Sequence, residues 1–416
     1  MYGGLSGMYQ IDSKYDQPDI KYMYQQAVDN MEAGIAIRDI NNLYKKLYGS
    51  KQSAAKNLHS MYGIENPNSY KQILAYLESM LNDDIVDACC REGKWTTDKQ
   101  AMRELALKGY QEAIDILTYR KAEAFVKGIN LIKDNMYVDG MVHPQVSLGK
   151  TNRLNYTNPA LMNIPKKLLW HIIAPRKTGN ILLSADIKNQ EPWIMINVLD
   201  IKVLKVILEE NPMGLYEAVF YHIFDRECTP IERDELKIAW NAMTYGATMY
   251  GINAICRHCD GEKIYKFFNS IPEFKKYRGL AFGRAKKKTQ EVKTYFGTTV
   301  RANEFGPKLV RVLMDIPIQG TGADLLALLV KHANDEFEDR ALEDKISLYF
   351  TRHDELIFEA EKEYIDEVGV DGACEVLNEI LEHRVDDWEP FQVKISELKP
   401  AELFIDGAAY EEDEDD

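Results

Sequence analysis

Two carboxylates in this sequence each follow a short apolar run of the kind that makes a buried strand. Asp186 closes Asn180-Ile-Leu-Leu-Ser-Ala-Asp186, and Asp354 sits inside ISLYFTRHDELIFEAE, residues 346–361. A strand-end Asp can be a turn residue, a hydrogen-bonded core acid or a ligand for a hard cation, and neither acid alone separates these. Between them, Arg233, Lys237, Asn241 and Tyr245 are spaced by four, which puts them on one face of a helix. Two cations followed by a ring suit a nucleotide: the cations meet phosphates, and the ring meets base or sugar. Like charges four apart on a helix are mildly destabilising unless an anion or a neighbouring acid offsets them. This helix therefore needs an anion.

The elements that must position these groups follow from periodicity. Residues 1–50 read as polar and helical, and residues 67–127 carry apolar residues at three- and four-residue spacing, a helical arm. Asn158, Pro159, Asn163 and Pro165 then interrupt regular structure. Helices return over about 201–288, and residues 346–361 form a hairpin whose β-rich halves meet at His353-Asp354-Glu355. The result is an α+β chain: a helical arm, and a sheet of distant segments with a helical insertion between its strands.

Composition sets bounds. No stretch reaches the roughly 18 apolar residues of a membrane span, and MYGGLSGMYQIDSKYDQ lacks the layout of a signal peptide. Six cysteines point to a reducing, cytoplasmic compartment. Cys256-Arg-His-Cys259 has no second cysteine pair nearby to complete a zinc site, and Cys89-Cys90 reads as helix packing. A net charge of −15 argues against a nucleic-acid binder. Its distribution softens that objection. Residues 411–416 are all acidic, a solvated tail, whereas Lys275, Lys276, Arg278, Arg284, Lys286, Lys287, Lys288 and Lys293 make a local stretch that could hold phosphate.

Taken together, the motifs resemble the family A DNA polymerases. Arg233-x3-Lys237-x7-Tyr245-Gly246 resembles that family's fingers-helix motif. Asp186-Ile-Lys-Asn-Gln-Glu191 is similar to its first carboxylate motif and His353-Asp354-Glu355 to its second. Ile316-Pro-Ile-Gln-Gly-Thr-Gly-Ala-Asp324 resembles its Pro-x-Gln-Gly-Thr-x-Ala-Asp helix start, and the segment from Arg153 to Pro165 resembles an upstream conserved segment. All occur in the family's order over roughly residues 50–400.

The resemblance implies a right-hand fold: an extension (1–49), thumb (50–145), palm (146–205 and 300–406), fingers (206–299) and acidic tail (407–416). It implies a template-directed polymerase adding dNTPs to a primer 3′-hydroxyl with release of pyrophosphate. Two Mg²⁺ ions, replaceable by Mn²⁺, would be held by Asp186, Asp354 and the Ile187 backbone carbonyl. Lys237 would be the general acid, Arg233 a γ-phosphate ligand, and Glu191 a steric gate against ribose. Tyr245 would guard the template–primer terminus, and Arg153, Arg311 and Gln319 would contact the minor groove. His353 would sit at the primer terminus, with Glu355 supporting.

Departures from the pattern carry their own expectations. Asn241 replaces an aromatic residue, so discrimination against dideoxynucleotides should be atypical. Ala242 stands for Gly, Trp193 for Arg, Asp315 for Asn, and Tyr216 for a phosphate-binding His. The first 180 residues contain no Asp-x-Glu, so no proofreading exonuclease is expected on this chain, and a separate exonuclease or processivity protein would be a partner. Such a layout fits a compact phage or mobile-element form in a bacterial or phage-infected cytoplasm. A single-subunit RNA polymerase shares the helix motif, but Glu191 argues against it. A catalytically silent accessory subunit would not need Asp186, Lys237 and Asp354.

Overall fold

The computed structural model describes residues 19–91, 93–210, 214–286, 291–302, 304–382, 391–400 and 403. Lys287 and Lys288 of the basic stretch, and the acidic run at 407–416, lie outside the described residues. The chain divides into two compact units.

One unit comprises Met31–Gln145, Tyr156–Gly179 and Leu398–Asp416. Helix α1 (Asn41–Tyr62) packs along helix α2 (Gln111–Asn135), and Tyr70–Ser79, Asp83–Cys89 and Lys99–Leu107 complete the bundle. Leu58, Ile73, Leu77, Ile85, Met102 and Ile116 fill its core, all but Leu58 within the stretch whose spacing predicted helices, and Cys89 is buried with them. Ser69, Asn82 and Asp98 cap the short helices by accepting a backbone N–H three residues on. Gly128 lets α2 approach its neighbour, since a Cβ there would lie 2.7 Å from Leu168 Cδ2. Two local readings change. Ile35–Ile37 is a strand, paired with Met141–Val142 and Ile173–Ala174, because partners distant in sequence override the helical reading. Helix α1 spans residues 49 and 50, where the expected extension meets the expected thumb.

The other unit comprises Met1–Asn30, Val146–Asn155 and Asn180–Glu397. Its centre is an antiparallel sheet of β1 (Ile181–Ile187), β2 (Ile346–Arg352), β3 (Glu355–Ala360) and β4 (Val393–Glu397), in the order β2-β3-β1-β4. Both expected strand segments are present, and β1 lies between β3 and β4, with Glu355 opposite Asp186 and Val393 opposite Ile187. Chain order then places α3 (Gln190–Val198), α4 (Leu215–Phe224), α5 (Pro230–Thr244), α6 (Pro272–Lys286), α7 (Pro307–Asp315), α8 (Thr321–Asp339) and α9 (Lys362–Leu381). Helix α9 covers β3 and β4, and α8 packs on α9 and β2. In the helical insertion, Trp240 of α5 meets Phe268 and Tyr216 edge-on at 4.9 and 6.0 Å.

Helices α7 and α8 run into one another through a π-helical turn, Ile316–Gly320. The combined run, Pro307–Asp339, is long and apolar enough to cross a membrane by length and composition. Its most apolar part is 78% buried inside the protein, so it serves as a core helix.

Candidate active site

Asp186 and Asp354 meet at one edge of the four-stranded sheet. The Ile187 N–H donates to the Asp354 carbonyl at 3.3 Å, and the Lys188 N–H donates to the Gln392 carbonyl at 3.0 Å, so both neighbours of β1 are stitched to it there. His353 takes a left-handed backbone (φ +54°) to make the tight turn that presents Asp354. Both Asp residues are half-buried and His353 is exposed. Glu355, opposite Asp186, is buried and accepts a hydrogen bond from the Ser184 hydroxyl, so its carboxylate is turned into the sheet's own packing. No cluster of three or more His, Cys, Asp or Glu able to hold a metal occurs among the described residues. The donors that are present, two carboxylates on adjacent strand ends, are hard oxygen ligands. They fit a Mg²⁺-type ion only if a ligand such as phosphate completes the coordination.

Helix α5 is fixed at its start by a capping box between Thr229 and Glu232. Arg226 clamps Glu232 from outside, and that hydrogen bond holds the Glu232 carboxyl down at about 2. Two residues before Lys237, buried Glu235 accepts the His258 backbone N–H at 3.0 Å, contacts His258 Nδ1 at 2.8 Å and accepts a hydrogen bond from the Cys259 thiol. Cys256, burial and Glu235 together push the Cys259 thiol far up, which keeps it protonated. The Cys-x2-Cys segment therefore braces α5. Arg233 donates to Glu217 Oε1 of α4 at 2.6 Å and lies 5.6 Å over the Tyr216 ring. Lys237 and Asn241 are half-buried, and Lys237 has no ion-pair partner among the described residues.

Tyr245 differs from expectation: it is the residue that ends α5 rather than part of it. Gly246 follows at φ +90°, and a Cβ there would lie 3.1 Å from Met314 Sδ, so the chain turns sharply to aim the Tyr245 ring. The Tyr245 hydroxyl donates to Glu191 Oε2 and accepts from Gln319 Nε2 at 3.2 Å. Arg153 Nη2 donates to Glu191 Oε1 at 2.6 Å. Burial, with Glu191 adding, pushes the Tyr245 phenol far up, so it stays a donor. Glu191 sits in the first turn of α3, five residues after Asp186. One hydrogen-bonded network thus joins Arg153, Glu191, Tyr245 and Gln319 beside the carboxylate strand. Arg311, exposed on α7, stands outside it.

Sequence reasoning missed Glu217 and Glu235, and it read Asp324 only as the end of a motif, without the role of anchor. Asp324 is fully buried on α8 and accepts hydrogen bonds from the Thr294 and Thr298 hydroxyls. Burial pushes its carboxyl up to about 7. The available signal was an acid at the heart of an apolar helix, which needs donors from elsewhere.

The sheet with carboxylates at one edge, the cationic helix and the network at its end define a right-hand polymerase fold of the α+β class. The description "DNA polymerase family A" matches residues 38–396, and the chain belongs to that family. It is 25% identical over 410 residues to DNA polymerase I of Geobacillus stearothermophilus, covering 88% of this chain and 43% of that protein. It is 25% identical over 350 residues to DNA polymerase I of Aquifex aeolicus (strain VF5), covering 80% and 58%. The chain thus spans under half the length of the Geobacillus relative. Its fold matches "POL domain of Pol1 from M. smegmatis complex with DNA primer-template and dNTP" with a TM-score of 0.72 and 21% identity, over 92% of this chain and 70% of that one.

Proposed function

We propose that this chain is a template-directed DNA polymerase that adds dNTPs to a primer 3′-hydroxyl and releases pyrophosphate. The observation that carries the reading is the convergence, in one unit, of the Asp186–Asp354 strand edge with the Glu191–Tyr245 hydrogen bond that ties the end of the cationic helix to it.

In this reading Asp186, Asp354 and the Ile187 carbonyl hold the cations. Two Mg²⁺ ions, or Mn²⁺ in their place, would lower the pKa of the attacking hydroxyl and neutralise the leaving pyrophosphate. Arg233 holds the γ-phosphate end, and Lys237, with no ion-pair partner among the described residues, neutralises the triphosphate and gives a proton to pyrophosphate. Asn241 lines the sugar side of the nucleotide. Glu191, fixed by Arg153 and Tyr245, occupies the volume a 2′-hydroxyl would need, which favours dNTPs over NTPs. Tyr245 closes off the template–primer terminus, Arg153, Arg311 and Gln319 reach acceptors in the minor groove, His353 lies by the primer end, and Glu355 supports the strand pair. Residues 50–145 of the helical unit supply the thumb, 146–205 and 300–406 the palm, and 206–299 the fingers. Primer–template DNA and dNTPs are the partners. Its place of work is the cytoplasm of a bacterial or phage-infected cell.

The test is extension of a labelled primer–template with Mg²⁺, offering dNTPs and NTPs separately, with Asp354→Ala alongside. Extension with dNTPs that is lost in the variant supports the reading. Failure of the pure wild-type chain to extend overturns it, and equal use of NTPs overturns the gate role of Glu191.

A further inference from the structure

We infer that Gln190 and Gly322 are a positioning pair for sugar selection. Their close contact sets where the first turn of α3 lies, and so where the Glu191 carboxylate meets the nucleotide sugar. This role rests on the reading of Glu191 as the gate and adds to it two buried residues.

Gln190 opens α3 next to Glu191, yet it is only 3% exposed. Its Nε2 is buried with no hydrogen-bond partner among the described residues. An unpaired buried amide is costly, so something other than its own hydrogen bonding holds it there. The start of α3 also lacks a side-chain cap: Asn189 precedes it with a left-handed backbone (φ +51°) and makes no capping bond. Packing therefore has the larger share in placing this turn.

The amide packs against Gly322, the second residue of α8. A Cβ there would lie 2.9 Å from Gln190 Oε1 and 3.5 Å from Cδ1 of Ile194, one turn further along α3. Glycine inside a helix weakens it, and here it is what permits the close approach. Helix α8 is poorly placed to yield, because its start is anchored. Thr321 donates to the Pro317 carbonyl at 2.6 Å and accepts from the Tyr295 N–H at 2.9 Å. Asp324 accepts from the Thr294 and Thr298 hydroxyls. Added volume at position 322 is then taken up by Gln190 and the turn that carries it, since a packed interior leaves a buried amide little space to swing into.

The same short stretch reaches Glu191 by a second route. Gln319, three residues before Gly322, donates to the Tyr245 hydroxyl, which donates to Glu191 Oε2. Residues 319–322 thus hold the gate both through the Tyr245 ring and through the seat of α3. A small shift of that seat moves the carboxylate relative to Arg153, to Tyr245 and to a 2′-hydroxyl, and such misplacements change rates steeply.

The experiment is single-nucleotide incorporation by the full chain, with a dNTP and its ribo counterpart competing opposite one template base. Wild type is compared with Gly322→Ala, Gln190→Ala and the double variant, and thermal melting checks that each is folded. Gly322→Ala should raise the ratio of NTP to dNTP incorporation about tenfold. Gln190→Ala leaves a void under the turn and should raise it about threefold. In the double variant the new methyl group at position 322 enters the space the amide left, so the ratio should return to within about twofold of wild type. A merely structural role would lower incorporation of both nucleotides and leave their ratio alone. Ratios within about twofold of wild type in both single variants overturn the inference, as does a double variant whose change is the product of the single ones. If Gly322→Ala alone does not fold, adding it to Gln190→Ala must still bring the ratio back down, and failure to do so overturns the inference. Each of these results leaves the polymerase reading intact. Glu191→Ala, run alongside, tests the gate itself: an unchanged ratio there overturns the gate reading and this inference with it.

Discussion

Arg233 donates its Nε–H to Glu217 Oε1 at 2.6 Å, so the cationic helix meets an internal carboxylate at the residue proposed to hold the γ-phosphate. The like-charged pair Arg233 and Lys237 needs an offsetting anion, and the protein supplies one of its own at Arg233. Both partners are about one-third exposed, so this bond contributes little to stability and is readily exchanged. If Glu217 competes with phosphate for Arg233, Glu217→Gln should lower the KM for dNTP about threefold with kcat little changed, while Arg233→Ala raises KM tenfold or more. Steady-state single-nucleotide incorporation reads both. A higher KM in Glu217→Gln would mean that Glu217 positions Arg233 instead of competing for it.

The strand-edge acids should separate chemistry from binding. Asp186→Asn or Asp354→Asn is expected to cut the incorporation rate by about 10³-fold or more, because several kcal/mol of transition-state charge stabilisation goes with the cation site. Both side chains are half-buried at a strand end, so the melting temperature should shift by no more than a few degrees. Chelation of divalent ions by EDTA should stop wild-type extension, and added Mg²⁺ should restore it. A variant that still extends at a tenth of the wild-type rate would remove that acid from the cation site.

Glu191 is held from two sides, by Arg153 at 2.6 Å and by the Tyr245 hydroxyl, so its carboxylate cannot swing without breaking a charge-assisted bond, as the proposed gate requires. Glu191→Ala should raise the ratio of NTP to dNTP incorporation by about 10²-fold, and Tyr245→Phe should raise it by a smaller factor, since one of two restraints remains. Competition between a dNTP and its ribo counterpart opposite one template base measures the ratio. An unchanged ratio in Glu191→Ala would place the ribose barrier elsewhere.

The parts of this site visible in the sequence are those written in short-range spacing. Arg233, Lys237 and Asn241 follow from a period of four along α5, and Asp186 and Asp354 from apolar runs that pair as β1 and β3. What the sequence hid depends on distant pairing. Glu217 finds Arg233 across two helices, Glu235 finds His258 beyond the end of α5, and Thr294 and Thr298 reach Asp324 across the π-helical turn. No periodicity encodes these, because each partner sits on its own element and only the fold brings them within 3 Å or so. Ile35–Ile37 is misread for the same reason, its partner strands lying about a hundred residues away. Tyr245 falls one residue outside α5 because Gly246 can take φ +90° and end the helix there.

Asp324 should make stability fall as the solution becomes alkaline. Its folded carboxyl is raised to about 7 from an ordinary value of 3.8, chiefly by burial, with the Thr294 and Thr298 hydroxyls holding it lower than burial alone would. The folded state thus binds the proton more tightly than the unfolded chain does. The corresponding stability is fully present below about pH 4 and is lost as pH rises through 7. Its ceiling is about 4 kcal/mol, and relaxation around the carboxylate should leave about 1–2 kcal/mol. Asp315, raised to about 6, adds a smaller slope of the same sign. Asp324→Asn keeps the size and an oxygen acceptor and cannot ionise. Its melting temperature should therefore change less between pH 5 and 8 than that of the wild type, which should drop by a few degrees more. Scanning calorimetry at pH 5, 6, 7 and 8 measures both curves. Parallel curves would show that the folded state holds no extra proton at Asp324 across this range, its carboxyl being ionised there as it is in the unfolded chain.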